Sequence, residues 1–560
     1  VTTPPILVVV VPGLGRTKVD SFVTRLRQNH PEFRVELFDH RISPLSTRHK
    51  LDRVVSSLSG AIRGWAGDNS GERAQTRSVI LIGHSIGGIL VRAAFLEGAG
   101  FGSEPPDAQP DGWATKVDRI VLLGSPNAGY RVENFPKSWR WAVPLLSGFA
   151  SFTMESVAAG AFWLADLRLR WLHAMRSLEP RRGAEPAGRP LVVQVFGDDD
   201  DLVTRKDIDD SAYMPDTVRT GVSNADHAGL VDLTDPATAP QRWSELEHAV
   251  IGAFTNAEDH TPQSPAPVHF ILHGIRSSAY EGWIAQLTAA LRTGSPHPSA
   301  DLGPQPPQVV SLNYRFFSAI EFALPFTRRR NVHQFLDAYM ATVLTHSADR
   351  FTFTGHSNGT YMMASIMRSV RSVRFRRILL AGTVLPPAFD WATLYARRQI
   401  GHFSGEDWED GQVHTDRARI DVPVGILAAG ISGLGFRDVG AAGVRGFEGP
   451  GALLTGRHDL VFPAGHGAAL VDHPEYPPRM PEIARFLTAG IPCSEPQETA
   501  SSGFQFASRV AQILAPIVAV AAVAAVVAAF IALLLNAGVW VAIAVVGIPL
   551  LLAYIGLRTV

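Results

Sequence analysis

"VILIGHSIGGILV" (residues 79–91) is an apolar run that halts at Gly83-His84-Ser85-Ile86-Gly87 and then resumes. The first part reads as a buried strand, and the continuation through Ala93-Ala94-Phe95-Leu96 has the length of a helix. A serine between glycines at that junction sits on a sharp strand-to-helix turn, where small neighbours let backbone and side chain crowd together. Its hydroxyl then stands at a helix N-terminus, whose free N–H groups favour developing negative charge. Much further along, "FTFTGHSNGTYMMA" (351–364) repeats the arrangement around Ser357. Two such elbows in one chain predict two copies of one architecture.

The flanking sequence agrees. "ILVVVV" (6–11), "RVELFDH" (34–40), "SVILIG" (78–83), "DRIVLLG" (118–124) and "PLVVQVFG" (190–197) alternate with helix-period stretches such as "KVDSFVTRLRQN" (18–29) and "LDRVVSSLSGAIRGW" (51–65). Strands rich in Val, Ile and Leu, alternating with helices, predict an α/β fold with a mostly parallel sheet covered on both faces. The pattern restarts with "VHFILHG" (268–274), "QVVSLNY" (308–314), "RFTFTG" (350–355) and "RRILLAG" (376–382). Between the copies, "NAEDHTPQSPAP" (256–267) has a linker's composition. The expected organisation is a first domain at 1–257, a linker at 258–267, a second domain at 268–490 and a second linker at 491–509.

A chain of 560 residues with net charge −1 exceeds one hydrophobic core and offers no electrostatic case for nucleic acid. The single cysteine, Cys493, excludes an internal disulfide framework. Lysine is confined to positions 18, 50, 116, 137 and 206 against a large excess of arginine, the bias of a GC-rich bacterial genome. The opening "VTTPPILVVVVPGLG" lacks the basic region of a secretory signal and reads as a strand. At the other end, 510–535 and 539–557 are uncharged, and each exceeds the roughly 18 apolar residues that span a bilayer. With Asn536-Ala537-Gly538 as the turn, residues 510–557 are expected to form a two-helix transmembrane hairpin, a lipid bilayer anchor. Arg509 and Arg558 flank it on one side, which by the positive-inside tendency places the rest of the chain in the cytoplasm.

A serine is a weak nucleophile without a base and an orienting acid. In "VFGDDDDLVT" (195–204), Asp199, Asp200 and Asp201 all follow a strand, and crowding of like charge turns the surplus carboxylates to solvent. The base is expected to be His227 in "NADHAGLV" (224–231), with a surface loop histidine as the alternative. Backbone N–H groups of Ile86 and of Leu14 in "PGLG" (12–15) are candidates for an oxyanion hole. "ILHGIRS" (271–277) supplies the corresponding loop of the second copy, with donors from Ile275 and Asn358.

Taken as a set, "VVVVPGLG" (8–15), "GHSIGG" (83–88), "LLGSPNAG" (122–129) and "DHAGLV" (226–231) resemble the lipase and esterase branch of the α/β-hydrolase superfamily. Pro12-Gly13 departs from the His-Gly of many relatives. The resemblance to a G-x-x-D-x-L-V stretch selects Asp200 as the acid. It also implies a cap at about 130–189, holding Trp139, Trp141, Phe149, Phe152, Phe162, Trp163 and Trp171. Those aromatics either line an apolar acyl site, touch the bilayer as a lid, or simply pack the cap onto the sheet. The second copy is similar to α/β-hydrolases that carry GHSNGT, in which the acid lies in a D-x-x-V stretch and the base in G-H-G-A-A. The implied residues are Asp421 and His466, although "DVPVG" (421–425) lacks the tryptophan that relatives tend to have after the acid. Asp459 is a rival acid only seven residues before His466. "FFSAIEFALPFTRRR" (316–330) is placed to cover this second mouth.

The expected activity is hydrolysis of carboxylic esters of apolar acyl groups at Ser85, with a second site at Ser357 and no metal or organic cofactor. Thioesters and amides share the chemistry. A membrane-tethered scaffold with silent sites is the competing reading. Transport is disfavoured, because the apolar helices hold no ionisable residue.

Overall fold

The computed structural model describes residues 5–14, 19–42, 48–67, 76–102, 110–130, 156–158, 160–179, 188–203, 216–254, 264, 266–275, 282–293, 305–312, 318–404, 407–410, 412–449, 459–463, 465–474, 476–494 and 499–537. The chain divides into two compact units, Val1–Pro262 and Gln263–Val560.

In the first unit, β1 (Ile6–Val11), β2 (Phe33–Leu37), β3 (Ser78–His84), β4 (Val117–Leu123), β5 (Leu191–Gly197) and β6 (Thr217–Val222) form one sheet in the order β2-β1-β3-β4-β5-β6. Every pairing is parallel. Parallel neighbours need crossovers, and α1 (Val19–Asn29), α2 (Arg48–Ala66), α3 (Ile86–Gly98) and α4 (Phe162–Ser177) lie between successive strands, while α5 (Ala239–Ile251) follows β6. On one face, Val8, Val10, Ile80 and Ile82 pack with Phe22 and Leu26 of α1 and with Trp243 and Leu246 of α5. The alternate residues Leu7, Val9 and Leu81 turn to the opposite face by the two-residue period of a strand and are also buried. That double burial is why these strands read as continuous apolar runs rather than as alternating ones. Each fully buried Leu, Ile or Phe contributes about 1.5–3 kcal/mol, so the central strands hold the unit together.

The second unit repeats the plan. Its strands are β7 (Val268–Leu272), β8 (Gln308–Ser311), β9 (Phe351–His356), β10 (Arg377–Ala381), β13 (Gln412–Ala418) and β14 (Asp459–Phe462), with a small antiparallel hairpin of β11 (Gly401–Ser404) and β12 (Asp407–Asp410). The six-stranded order, β14-β13-β10-β9-β7-β8, is that of the first sheet read from its other edge, and again all pairs are parallel. Its helices include α6 (Gly282–Thr293), α7 (Pro325–Thr345), α8 (Asn358–Ser369), α9 (Arg479–Ala489) and α10 (Ser502–Ala537). In both sheets the strand order reverses beside the first strand, which opens a crevice at the carboxyl ends of the central strands. β3 and β9 end there.

The C-terminal region differs from expectation. α10 starts at Ser502, so the last eight residues of the expected linker are helical, and it runs through Asn536 and Ala537, where a turn was expected. Its first turns pack on Pro423–Gly433: Gln512 Nε2 donates to Ser432 Oγ at 3.3 Å and Arg445 NH1 to Gln512 Oε1 at 3.0 Å. A docked helix gains tertiary support for turns that sequence hydrophobicity alone leaves polar. Ser502–Ala521 is the one stretch, among the described residues, long and apolar enough to cross a membrane. The second expected span, 539–557, lies outside the described residues.

Of the expected cap aromatics, Trp139, Trp141, Phe149 and Phe152 lie outside the described residues. Phe162 opens α4. Trp163 and Trp171 are buried, not presented to solvent: Trp163 Nε1 donates to Asp52 of α2 at 2.8 Å, and Trp171 stacks edge-on against Phe95 of α3. These two pack α4 onto the body of the unit.

Candidate active site

Ser85 follows β3 with φ 55° and ψ −126°, and Ser357 follows β9 with φ 52° and ψ −117°. A positive φ at a residue with a Cβ costs on the order of 1–3 kcal/mol and persists only where the surroundings enforce it. The enforcement is visible. Ser85 N–H donates to Leu123 O of β4 at 2.8 Å and Ser357 N–H to Ala381 O of β10 at 3.0 Å. Beyond each serine the chain passes so close to the neighbouring strand that a Cβ on Gly87 would lie 2.2 Å from Val11 O, and one on Gly359 2.5 Å from Leu272 O. Only glycine fits either place.

Asp200 lies three residues past the end of β5, and His227 five past the end of β6. His227 Nε2 is 2.9 Å from Ser85 Oγ, and His227 Nδ1 is 2.8 Å from Asp200 Oδ2. The Asp200 carboxylate is fully buried and accepts from the N–H groups of Leu202 (3.0 Å) and Val203 (2.9 Å), whereas Asp198, Asp199 and Asp201 are exposed. Of these four aspartates, one carboxylate is desolvated against an imidazole and the others are hydrated. The loop carrying Leu14 lies against the elbow, since a Cβ on Gly13 would sit 3.0 Å from Ser85 Cβ. Ile86 is the first residue of α3, so its N–H is one that a helix leaves without an internal acceptor.

Two further side chains complete this site. His84 is buried and its Nε2 donates to His227 O at 2.9 Å, fixing the backbone of the base. Burial, then the neighbouring His227 ring, pulls His84 down to about 4, so it is neutral. Tyr130 Oη is 2.9 Å from Ser85 Oγ, and burial pushes its phenol up to about 12. Sequence reasoning missed both. His84 is the variable residue of the G-x-S-x-G turn, and Tyr130 follows directly on "LLGSPNAG" at the edge where β4 ends, beside β3.

The second site is built on the same plan. Asp421 lies three residues past β13 and His466 four past β14. Asp421 is fully buried, its Oδ2 is 2.8 Å from His466 Nδ1, and its Oδ1 accepts from Val424 N–H at 2.9 Å. His356 Nε2 donates to His466 O at 3.2 Å, the counterpart of His84, and burial followed by the His466 ring lowers it to about 3. Gly274 touches Ser357 as Gly13 touches Ser85, which brings the Ile275 loop to the elbow, and Asn358 opens α8. His466 Nε2, however, is buried with no hydrogen-bond partner, so the serine and the base are not joined. Asp459 is engaged elsewhere, paired with Arg417 at 2.6 Å. Over this unit, Arg328 of α7 is buried among the rings of Phe322, Tyr361 and Phe436 and paired with Asp438 at 2.9 Å. Among the described residues of the whole chain, no cluster of three or more His, Cys, Asp or Glu is arranged to hold a metal ion.

No family model and no curated protein matches the chain. Among solved structures it is similar to phospholipase PlaB from Legionella pneumophila (17% identity over 34% of this chain, TM-score 0.23), and it spans only 39% of that protein's length. It is also similar to Est1E from Butyrivibrio proteoclasticus (12% identity, 44% of this chain and 89% of that one, TM-score 0.25) and to inhibited esterase B from Lactobacillus rhamnosis (12% identity, 44% and 76%, TM-score 0.31). None of these scores reaches 0.5, and the chemistry below is read from the chain's own side chains.

Proposed function

We propose that the chain is a membrane-tethered serine hydrolase whose first unit cleaves carboxylic esters of apolar acyl groups through an acyl-enzyme on Ser85. The observation that carries this reading is the unbroken relay from Ser85 Oγ through His227 to buried Asp200, at 2.9 and 2.8 Å. Asp200 holds the Nδ1–H tautomer, which leaves Nε2 free to take the serine proton. The attacked carbonyl oxygen becomes an oxyanion at the N–H groups of Leu14 and Ile86. His227 protonates the departing alcohol, then activates a water that releases the acid. Thioesters and amides are open to the same steps. The apolar Ser502–Ala521 supports attachment to a bilayer.

For the second unit we infer the same chemistry at Ser357, with Asp421 and His466 as acid and base and Ile275 and Asn358 as donors. A second reading, that this copy binds without turnover, is favoured by the unjoined His466 Nε2. A fluorophosphonate probe on the full chain separates the outcomes. Labelling abolished by Ser85→Ala in a Ser357→Ala background supports catalysis in the first unit, and labelling of Ser85→Ala alone supports it in the second. A wild-type chain that takes no probe sinks both and leaves the scaffold.

A further inference from the structure

Ser85 Oγ lies 2.9 Å from His227 Nε2 and also 2.9 Å from Tyr130 Oη. A serine hydroxyl has one proton to give. With the His227 proton held on Nδ1 by Asp200, that serine proton goes to Nε2, so the second contact is donated by the tyrosine. Tyr130 is 4% exposed, and its backbone N–H is tied to Val157 O at 3.0 Å. The loop before it is braced by Asn127, whose Oδ1 accepts from Ser125 Oγ and from buried Arg92 of α3, both at 3.0 Å.

Topology separates the strands that carry these groups. In the sheet order, β1 lies on one side of β3 and β4, β5 and β6 on the other. The Leu14 loop leaves β1, while Tyr130, Asp200 and His227 all follow strands of the β4 side. Tyr130 is thus carried by the same side of the sheet as Asp200 and His227, and the Leu14 loop by the other.

We propose that Tyr130 is a catalytic residue of the first site that donates a hydrogen bond to Ser85 Oγ and speeds the breakdown of the acyl-enzyme. This rests on the reading of Ser85 as the nucleophile. In deacylation, water gives a proton to His227 Nε2 and adds to the acyl carbon. The intermediate then collapses: the C–Oγ bond breaks, its electron pair stays on Oγ, His227 returns the proton to Oγ, and the carboxylic acid leaves. Tyr130 keeps its own proton throughout. The ester oxygen of the acyl-enzyme is a poor acceptor, whereas Oγ gathers charge as its bond to carbon breaks, so the hydrogen bond strengthens between ground state and transition state. In acylation the starting hydroxyl is already a good acceptor, and the gain is small. Tyr130 thus acts mainly on the second half of the reaction.

The repeat supplies an internal contrast. Leu123 O and Ala381 O accept the N–H of the two serines, which makes them equivalent positions. Seven residues beyond Leu123 stands Tyr130, and seven beyond Ala381 stands Ala388, with no tyrosine in the intervening 382–387.

The test uses the full chain with Ser357→Ala, so that only the first site reacts, and p-nitrophenyl butyrate as substrate. Tyr130→Phe is expected to lower kcat about tenfold and KM by a similar factor, leaving kcat/KM within about twofold, with a product burst that grows toward one per chain. Fluorophosphonate labelling of Ser85 in this variant, at a rate within about twofold of the Tyr130 parent, reports an intact elbow and base. A kcat/KM that falls as far as kcat, or no change in either constant, overturns the role given to Tyr130. Absence of labelling at Ser85 in the parent instead removes the nucleophile itself.

Discussion

Strain and desolvation are concentrated on a few side chains at each site. Ser85 is held at φ 55°, Asp200 is sealed from water, and His84 is kept neutral beneath the base. Asp200 orients His227 by accepting its Nδ1–H, so Asp200→Asn favours the wrong tautomer without altering shape. Its kcat toward a chromogenic ester, measured in the Ser357→Ala background, is expected to fall on the order of 10³–10⁴-fold with the thermal midpoint nearly unchanged. Ser85, His227 and the aspartate run were legible because each lies in a short pattern at the end of a strand. Tyr130 was not. Its role depends on β4 lying beside β3, a pairing no local pattern encodes.

At the scale of elements, α10 makes the clearest departure from the sequence reading. The segment it packs on, Pro423–Gly433, begins two residues after Asp421, whose backbone carbonyl and carboxylate accept from Gly425 and Val424. Gly433 permits the close approach: a Cβ there would lie 1.9 Å from Gln512 O. Gly433→Val is expected to lift the first turns of α10 from this segment. Hydrogen exchange over 502–512 should then quicken by at least about tenfold, while the strands of the same unit keep their protection. Equal protection in both proteins would show that the packing contributes nothing. Hydropathy marked Val510 as the start because it weighs only apolarity. The polar residues Gln505 and Gln512 are helical through tertiary hydrogen bonds that hydropathy does not see.

Across the whole molecule, the two units share a strand order and differ in buried histidines. Burial pulls His269 down to about 3, burial and Arg329 pull His333 to about 4, and His356 stands at about 3, all in the second unit; the first holds His84. Each folded-state value is below the ordinary 6.5, so between about 6.5 and 4 the unfolded chain binds protons that the folded one refuses. Stability is present above 6.5 and falls with pH through that window. His414 runs the other way: burial opposes its charge, but Asp416 at 3.0 Å outweighs it and raises the ring to about 9. Its contribution is present below 6.5 and lost as pH rises through 9. The second unit is therefore expected to be most stable near pH 6.5, to lose stability as pH rises from 6.5 through 9, and its calorimetric transition to drop faster than that of the first between pH 6.5 and 4. Leu287→Ala, which lowers only the second unit, assigns the two transitions. Parallel shifts of both would contradict this.

The sequence by itself determined the number of units, their α/β class, the two serine elbows and the presence of a long apolar helix. Those features are written in contiguous residues, as periodicity, glycine spacing and uninterrupted apolarity. The tertiary structure decided which of four adjacent aspartates meets His227, that a phenol reaches Ser85, that His466 stops short of a bond, and where α10 begins. Each of these depends on side chains from distant strands arriving at one sheet edge within about 3 Å. A distance of that kind is fixed by strand order and packing, which no single stretch of the chain contains.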